Sequence, residues 1–442
     1  MAAASSIGPR LAKQAAPGPE LHAAARPARL RRLLPVILLL YSILIPQEAR
    51  LDIGGQTLYA YRLVCMALLP WLLIRFTRRE LHFVYFDGLI AAGCGWMIVS
   101  FVAIYGLTPG LPSSLGLVVD VAVPYLVARA SITSLSDLRR VLVLFAPGLA
   151  LAGLAIMIES FAGREIIKPL ATSVFGSREQ FITAASGEGR FRWGMYRAAG
   201  PFAHPILAGL LMASSGALYL TSGLRKWPLY LGVAGLIFSI FTFSSAAVLA
   251  VLLVAAAIIY ERLGRMMAIF TWPRALIALT LLVLTIQVVS ERGFLRFFLR
   301  FTFNPATGYY RRLIWDFGTQ SVAENPWLGI GFAGFARQAW MNNSVDAYWL
   351  SDAMRHGLIV PVCFMLAAIL AIRALALRCA AQQTIIDRQT MLGLTVALFV
   401  LVLMGFTVAF FGGALLWFYI VLGAAVTLSS YAIAPRPAWA SA

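Results

Sequence analysis

The feature that most constrains this chain is a succession of apolar runs. Each is roughly 17–25 residues long and so able to cross a hydrocarbon core of about 30 Å. By that length rule they number about twelve, near residues 33–46, 58–75, 85–105, 114–131, 141–161, 198–222, 227–243, 245–261, 273–290, 346–372, 389–411 and 413–432. In lipid, backbone amides and carbonyls have no water to bond, so each run must satisfy them internally as a helix. The alternating pattern of a membrane barrel strand is missing. The stretch 227–261 is divided at FTFSS (241–245), because about 35 apolar residues exceed what one tilted helix needs. Charged residues make up 12% of the 442, against about 25% in a soluble domain. The expected fold is therefore all-α, a polytopic transmembrane helical bundle of about twelve spans forming one transmembrane domain over 33–432.

Charge placement orients such a bundle. The formal charge is +18, and basic residues beside apolar runs mark the cytoplasmic side of a membrane rather than a nucleic-acid partner. The Ala-, Pro- and Arg-rich stretch 1–32 is expected inside as a basic, disordered tail. The inner turns then carry Arg75, Arg78 and Arg79; Arg129, Arg139 and Arg140; Arg225 and Lys226; Arg262, Arg265 and Arg274; and Arg373, Arg378 and Arg388. An even number of spans returns the tail 433–442 to the cytoplasm. No small-residue cleavage site follows a short apolar core, so a removable signal peptide is not expected. Cys65, Cys94, Cys363 and Cys379 lie in or beside apolar runs without CxxC spacing, and read as small hydrophobes.

Two long outer segments break the charge pattern. Residues 162–197 hold Arg164, Lys168, Arg178, Arg190, Arg192 and Arg197, and residues 291–345 hold Arg292, Arg296, Arg300, Arg311, Arg312 and Arg337. Connections of that length are usually functional. In TGYYRRLIWDFG (307–318), Arg311 and Arg312 stand between Tyr309, Tyr310 and Trp315, residue types suited to phosphate and to sugar rings or headgroups. On a helix, Arg311 and Trp315 share a face. The alternative is an interfacial amphipathic helix whose arginines meet anionic lipid. In RFRWGMYRAAGPFAHPILAGLL (190–211), Pro205 marks a helix start whose free N–H groups, with Arg197, suit a diphosphate. His204 is either a donor to that anion or an interfacial histidine.

The acids are fewer. In NNSVDAYWLSDAMRHGLIVP (342–361), Asp346 and Asp352 are candidates for a general base, and Arg355 or His356 for a charge partner. The spacing of Asp352 to Arg355 or His356 favours a local helix pair. Asp120 lies inside a span and is either functional or a packing hydrogen bond. No Walker loop, GxGxxG after a strand, HExxH or Ser/His/Asp elbow is present, so neither bound nucleotide nor a protein-bound metal is expected.

Three segments together resemble the O-antigen ligase and polymerase-like family of bacterial inner-membrane glycosyltransferases. RAAGPFAHPILAG (197–209) is similar to that family's Arg-Gly-Phe-x-x-Pro segment opening a span. YRRLIWDFGTQSVAENPWLGIGF (310–332) resembles its Arg-x-x-x-Trp element followed by Asn-Pro-x-x-Gly-x-Gly. DAYWLSDAMRHGLI (346–359) resembles the element in which a polar residue precedes an aromatic-Leu pair and then Gly-Leu-Ile. The resemblance implies a GT-C-like, cofactor-free and metal-free enzyme acting at the periplasmic face. It would move glycan from an undecaprenyl diphosphate carrier to an acceptor glycan or lipid A core, with a chain-length regulator as a further partner. It makes Arg197 and Arg311 diphosphate contacts, with Arg192 and Arg312 beside them. Asp346 would be the base, and His204, Tyr310 and Trp315 further substrate contacts. Ligases of the family carry a histidine, often His-Asn, where this chain has Asp346-Ala347. Many relatives have Ser-Arg where it has Ser244-Ser245. The first departure favours a polysaccharide polymerase over a ligase. A transporter or flippase for a lipid-linked or anionic solute is the reading from another class, and would more naturally place its ionisable groups near the bilayer midplane.

Overall fold

The computed structural model describes residues 19–53, 56–175, 191–267, 269–289, 305–382 and 384–430. Helix α1 (Pro19–Ser42) leads into an antiparallel hairpin of β1 (Arg50–Ile53) and β2 (Gln56–Tyr59), in register from Arg50↔Tyr59 to Ile53↔Gln56. Next come α2 (Ala60–Thr77), α3 (Tyr85–Tyr105), α4 (Leu107–Ser131) and α5 (Leu135–Ala162). A short amphipathic helix, α6 (Ile167–Phe175), precedes a second hairpin, β3 (Phe191–Arg192) with β4 (Met195–Tyr196). Then follow α7 (Pro205–Thr221), α8 (Trp227–Phe238), a 3₁₀ turn over Ser239–Thr242, α9 (Ser245–Met266) and α10 (Trp272–Val289). The last five helices are α11 (Pro305–Glu324), α12 (Tyr348–His356), α13 (Ile359–Ala381), α14 (Ile385–Met404) and α15 (Gly413–Ser430).

Eight of these helices, α2 to α5, α9 and α13 to α15, are long and apolar enough to cross a membrane. Shorter apolar helices are α7, α8 with its 3₁₀ extension, and Ile277–Val289 of α10. The molecule is thus an all-α bundle of multi-pass membrane type. α15 is its axis, with every residue from Leu416 to Ser429 buried and α4, α13 and α14 packed around it. The outward faces are apolar too: Leu69, Leu73 and Ile74 on α2, and Leu151, Ile158 and Phe161 on α5, are exposed. Water would penalise such a surface and lipid does not.

Several boundaries depart from the sequence expectation, each for a local reason. α1 begins at Pro19, inside the stretch 1–32 expected as disordered tail. Its Arg29 and Arg32 bind the buried Asp137 at 2.6 and 2.9 Å, which gives this basic segment a fixed seat. Residues 1–18, and the tail from 431 onward, lie outside the described residues, as do 176–190 and 290–304 of the two long segments. The expected break at FTFSS is present: Phe243 takes a left-handed φ of 44°, and the Ser244 side chain caps α9 by accepting from the Ala247 N–H. The run 346–372 is two helices, split at Gly357, whose φ of 77° and ψ of 177° are essentially a glycine-only conformation.

Asp120 is not a lone intramembrane acid. The Arg62 guanidinium of α2 grips both its oxygens, Nε to Oδ1 at 3.0 Å and Nη2 to Oδ2. This pair ties α2 to α4, a packing role. Other ion pairs gather at one end of the bundle. Arg129 lies 3.2 Å from Asp87, Arg139 donates to Asp387 at 2.6 Å, and Arg388 donates to Glu261 at 3.2 Å. These residues flank α3–α5, α9 and α14 at the ends where the basic turns lie. The segments between α5 and α7 and between α11 and α13 meet at the opposite end.

Candidate functional site

That opposite end is built on a buried acid missed in the sequence. Glu159, near the C-terminus of α5, accepts from the N–H groups of Ile166, Ile167 and Gly200, each at 2.9 Å. It thereby holds both described parts of the 162–204 segment. The only sequence signal for it is an acid closing an apolar run. Ser160 adds a hydrogen bond to the Tyr196 carbonyl at 2.9 Å. Between β3 and β4, Trp193 and Gly194 both have positive φ, 53° and 77°, as a two-residue hairpin turn of the type matching strand twist requires. This tight turn places Arg192 and Arg197 close together. Arg192 donates from Nη1 to the Phe243 carbonyl at 2.8 Å, directly before Ser244-Ser245.

Arg311 comes from α11. It shares a buried face with Ile314, Gly318 and Ser321, the three- and four-residue spacing of a helix. The adjacent Arg312 points about 100° away around the helix. It is half-exposed and pairs with Asp316 at 3.4 Å. The structure therefore separates the two arginines and does not bring Arg312 to the site. Arg311 is 5% exposed, its Nε has no hydrogen-bond partner, and its guanidinium forms no ion pair among the described residues. Burial pulls its pKa down, the nearby Asp346 opposes that, and Arg192 adds to it. Arg197 is pushed down to about 10, by burial first and then by Arg192 and Arg311. Burial also lowers Arg192. Arg192, Arg197 and Arg311 thus lie within electrostatic reach of one another, and Asp346 within reach of Arg311.

Asp346 ends an irregular segment that is held on both sides. Four residues earlier, the Asn342 N–H donates to the Tyr310 hydroxyl at 2.9 Å. Just after it, the first N–H groups of α12 would be orphaned. The Tyr348 N–H instead donates to the Val408 carbonyl at 3.0 Å and that of Trp349 to the Gly405 carbonyl at 3.3 Å. Trp315 stacks on Phe406 and donates from Nε1 to its carbonyl at 3.1 Å. Tyr310 and Trp315 therefore fasten α11 to its surroundings, a supporting role. Asp346 itself accepts no hydrogen bond among the described residues. Burial raises its pKa and Arg311 counteracts part of the rise. Among the described residues no ion pair forms between the two, although they lie within electrostatic reach.

The NPWLGIGF segment (325–332) explains its glycines by backbone contact. The Ile330 and Gly331 N–H groups donate to the Met354 and Arg355 carbonyls at 2.7 and 3.1 Å, closing the C-terminus of α12. A Cβ on Gly329, at φ 71°, would stand 2.5 Å from the Met354 carbonyl oxygen. His204 caps α7, its Nδ1 accepting the Ile206 N–H at 3.2 Å, and Pro205 follows as the first helical residue, as its position in the sequence predicts. His356 is buried against Phe101, with Nδ1 3.3 Å from the Ser100 hydroxyl, and burial pushes it down to about 3. It is a neutral packing residue, not a charge partner.

A cavity of about 290 Å³ has Asp346 in its wall, together with Asn343, Ser351, Asp352, Arg355 and Phe410. Asp352 forms no ion pair with Arg355, which correlates with the latter's guanidinium lying over the Phe332 ring at 5.8 Å. The expected local helix pair is therefore absent. No group of three His, Cys, Asp or Glu side chains converges among the described residues. Compared with known proteins, the chain matches no family model and no curated sequence.

Proposed function

We propose that this chain is a membrane glycosyltransferase of the O-antigen ligase and polymerase-like type. In this reading it elongates a surface polysaccharide by transferring glycan from undecaprenyl diphosphate to an acceptor sugar hydroxyl. In this reading the eight long apolar helices, together with α1 and the shorter α7, α8 and α10, cross the bacterial inner membrane. Both termini are cytoplasmic, and the end bearing Arg311 and Asp346 is periplasmic. The observation that carries this reading is the Arg311 guanidinium, buried and without an ion pair among the described residues, within electrostatic reach of Arg192, Arg197 and Asp346. A buried cation with no counter-ion is costly. An anion that arrives with the substrate offsets that cost.

The chemistry suits these groups. The acceptor hydroxyl attacks the anomeric carbon, and the new glycosidic C–O bond forms as the bond from that carbon to the diphosphate breaks. The electron pair leaves with undecaprenyl diphosphate, and the hydroxyl proton passes to the Asp346 carboxylate and then to water. A diphosphate departs already charged, so guanidinium groups fixed in place stabilise it better than an acid would. Asp346 in place of a ligase histidine is what favours polymerisation.

The deciding experiment is deletion in the native cell followed by gel analysis of surface glycan. A ladder collapsed to one repeat is the expected result. A full ladder stranded on its carrier would instead make the enzyme a ligase, and unchanged glycan would exclude both. Sidedness is checked separately with a cysteine placed at the exposed Trp340. A membrane-impermeant maleimide should label it in intact cells, and labelling only after lysis overturns the scheme.

A further inference from the structure

The cavity beside Asp346 has two carboxylates in its wall, and the transfer chemistry uses only one. Asp352, on the first turns of α12, is 7% exposed, and its Oδ2 has no hydrogen-bond partner. The Tyr348 hydroxyl lies near enough to favour its charged form, and it also shares a hydrogen bond with the Tyr419 hydroxyl at 2.8 Å in which either oxygen can donate. A buried carboxylate oxygen left without a donor costs free energy unless a ligand supplies one. Around it stand the amide of Asn343 and the hydroxyl of Ser351, with Phe332 and Phe410 as apolar walls.

We propose that this cavity receives the acceptor sugar, with Asp352 accepting hydroxyl hydrogen bonds that orient the attacking hydroxyl toward Asp346. The inference rests on the glycosyl-transfer reading above. A sugar ring presents hydroxyl donors at its rim and C–H faces above and below, which matches a wall of carboxylate, amide and aromatic side chains. Arg355 also stands in this wall, its guanidinium over the Phe332 ring, so the lining combines two carboxylates with one cation. At about 290 Å³ the space sits at the lower end of small-molecule sites, about 300–1,000 Å³. It accommodates the end of a glycan and excludes a lipid tail. Asp346 is the residue common to this cavity and the arginine group. Donor and acceptor would therefore meet at Asp346. Asp352 is a positioning residue here and takes no proton from the reaction.

The test uses the full-length protein in nanodiscs with two probes. One is the host's repeat unit on undecaprenyl diphosphate as donor, and the other is the free repeat-unit oligosaccharide as acceptor. Asp352→Asn should raise the acceptor KM at least about 10-fold, the range of one hydrogen bond to a charged group. The donor KM should stay unchanged, with Asp352→Glu restoring part of the loss. Asn343→Ala, at an exposed position, should shift the acceptor KM in the same direction. Saturation-transfer NMR without donor should show the free oligosaccharide contacting wild type and not Asp352→Asn. An unchanged acceptor KM and an unchanged NMR contact in the variants overturn the acceptor site while leaving the transferase standing. Wild type that releases no undecaprenyl diphosphate removes the transferase, and the acceptor role with it, whatever the NMR reads.

Discussion

Two buried arginines offer a controlled comparison, because one is paired and the other is not. The Arg62 guanidinium is locked onto Asp120, whose side chain is 5% exposed. Replacing Arg62 by methionine strands that carboxylate, and breaking such a buried pair costs about 3–5 kcal/mol. Arg311 is more deeply buried than Arg62, which is 18% exposed, yet among the described residues it neutralises nothing in contact with it. Arg311→Met keeps an unbranched chain of similar reach and removes a desolvated charge. Folding stability should therefore change by less than about 1 kcal/mol, or rise. Turnover should instead fall by about 30- to 1,000-fold, equivalent to about 2–4 kcal/mol of lost transition-state stabilisation. Unfolding in mixed micelles with increasing dodecyl sulfate, followed by tryptophan fluorescence, measures the first quantity. Release of undecaprenyl diphosphate measures the second. If Arg311→Met unfolds as readily as Arg62→Met, Arg311 is a structural residue and the anion-site argument fails.

Further outcomes follow from the same geometry. Burial pushes the Asp352 carboxyl from 3.8 up to about 6, with the Tyr348 hydroxyl and then Arg355 opposing. The folded state therefore holds this proton more tightly than the unfolded chain. Stability is fully present below about pH 4 and declines by roughly 3 kcal/mol as pH rises through about 6. Asp352→Asn should remove that decline, matching wild type at pH 4 and exceeding it at pH 7.5. Parallel pH curves for the two proteins would refute the buried charge. Asp346→Asn should abolish transfer without loss of folded protein, and the wild-type rate should rise with pH through a pKa above the ordinary carboxylate range. A flat acid limb would rule Asp346 out as the base. Gly357→Ala should lose at least about 1–3 kcal/mol from backbone conformation alone, since its Cβ would also lie 1.8 Å from the Trp327 carbonyl oxygen. Wild-type stability in that variant would mean α12 and α13 are not broken there. Inorganic pyrophosphate should slow thermal unfolding of wild type and not of Arg311→Met, as a ligand that binds only the folded site must. Equal protection of both would place the anion elsewhere.

The bundle itself was legible in the sequence because lipid imposes one rule on every backbone group in it. Apolar length therefore located the helices, and FTFSS and Pro205 located a break and a start. The presence of Arg197 and Arg311 in the two long segments that break the charge pattern, and of Asp346 at the start of the next apolar run, could also be read, since residue type and motif order are local properties. Which neighbour each one meets could not. Arg311 and Arg312 are identical in composition terms, and only the 100° step of α11 turns one inward and pairs the other with Asp316. Asp120 stood open between a functional role and a packing hydrogen bond until the fold set Arg62 against it from another helix. Asp352 looked locally paired until the structure separated it from Arg355. Glu159 gave almost no signal at all, yet it fixes Gly200 just beyond Arg197, while its neighbour Ser160 holds the end of the hairpin. Helix existence depends on residues a few positions apart, so a single sequence determines it. The charge state and partner of a buried side chain depend on contacts across tens to hundreds of positions, so only the packed tertiary structure decides them.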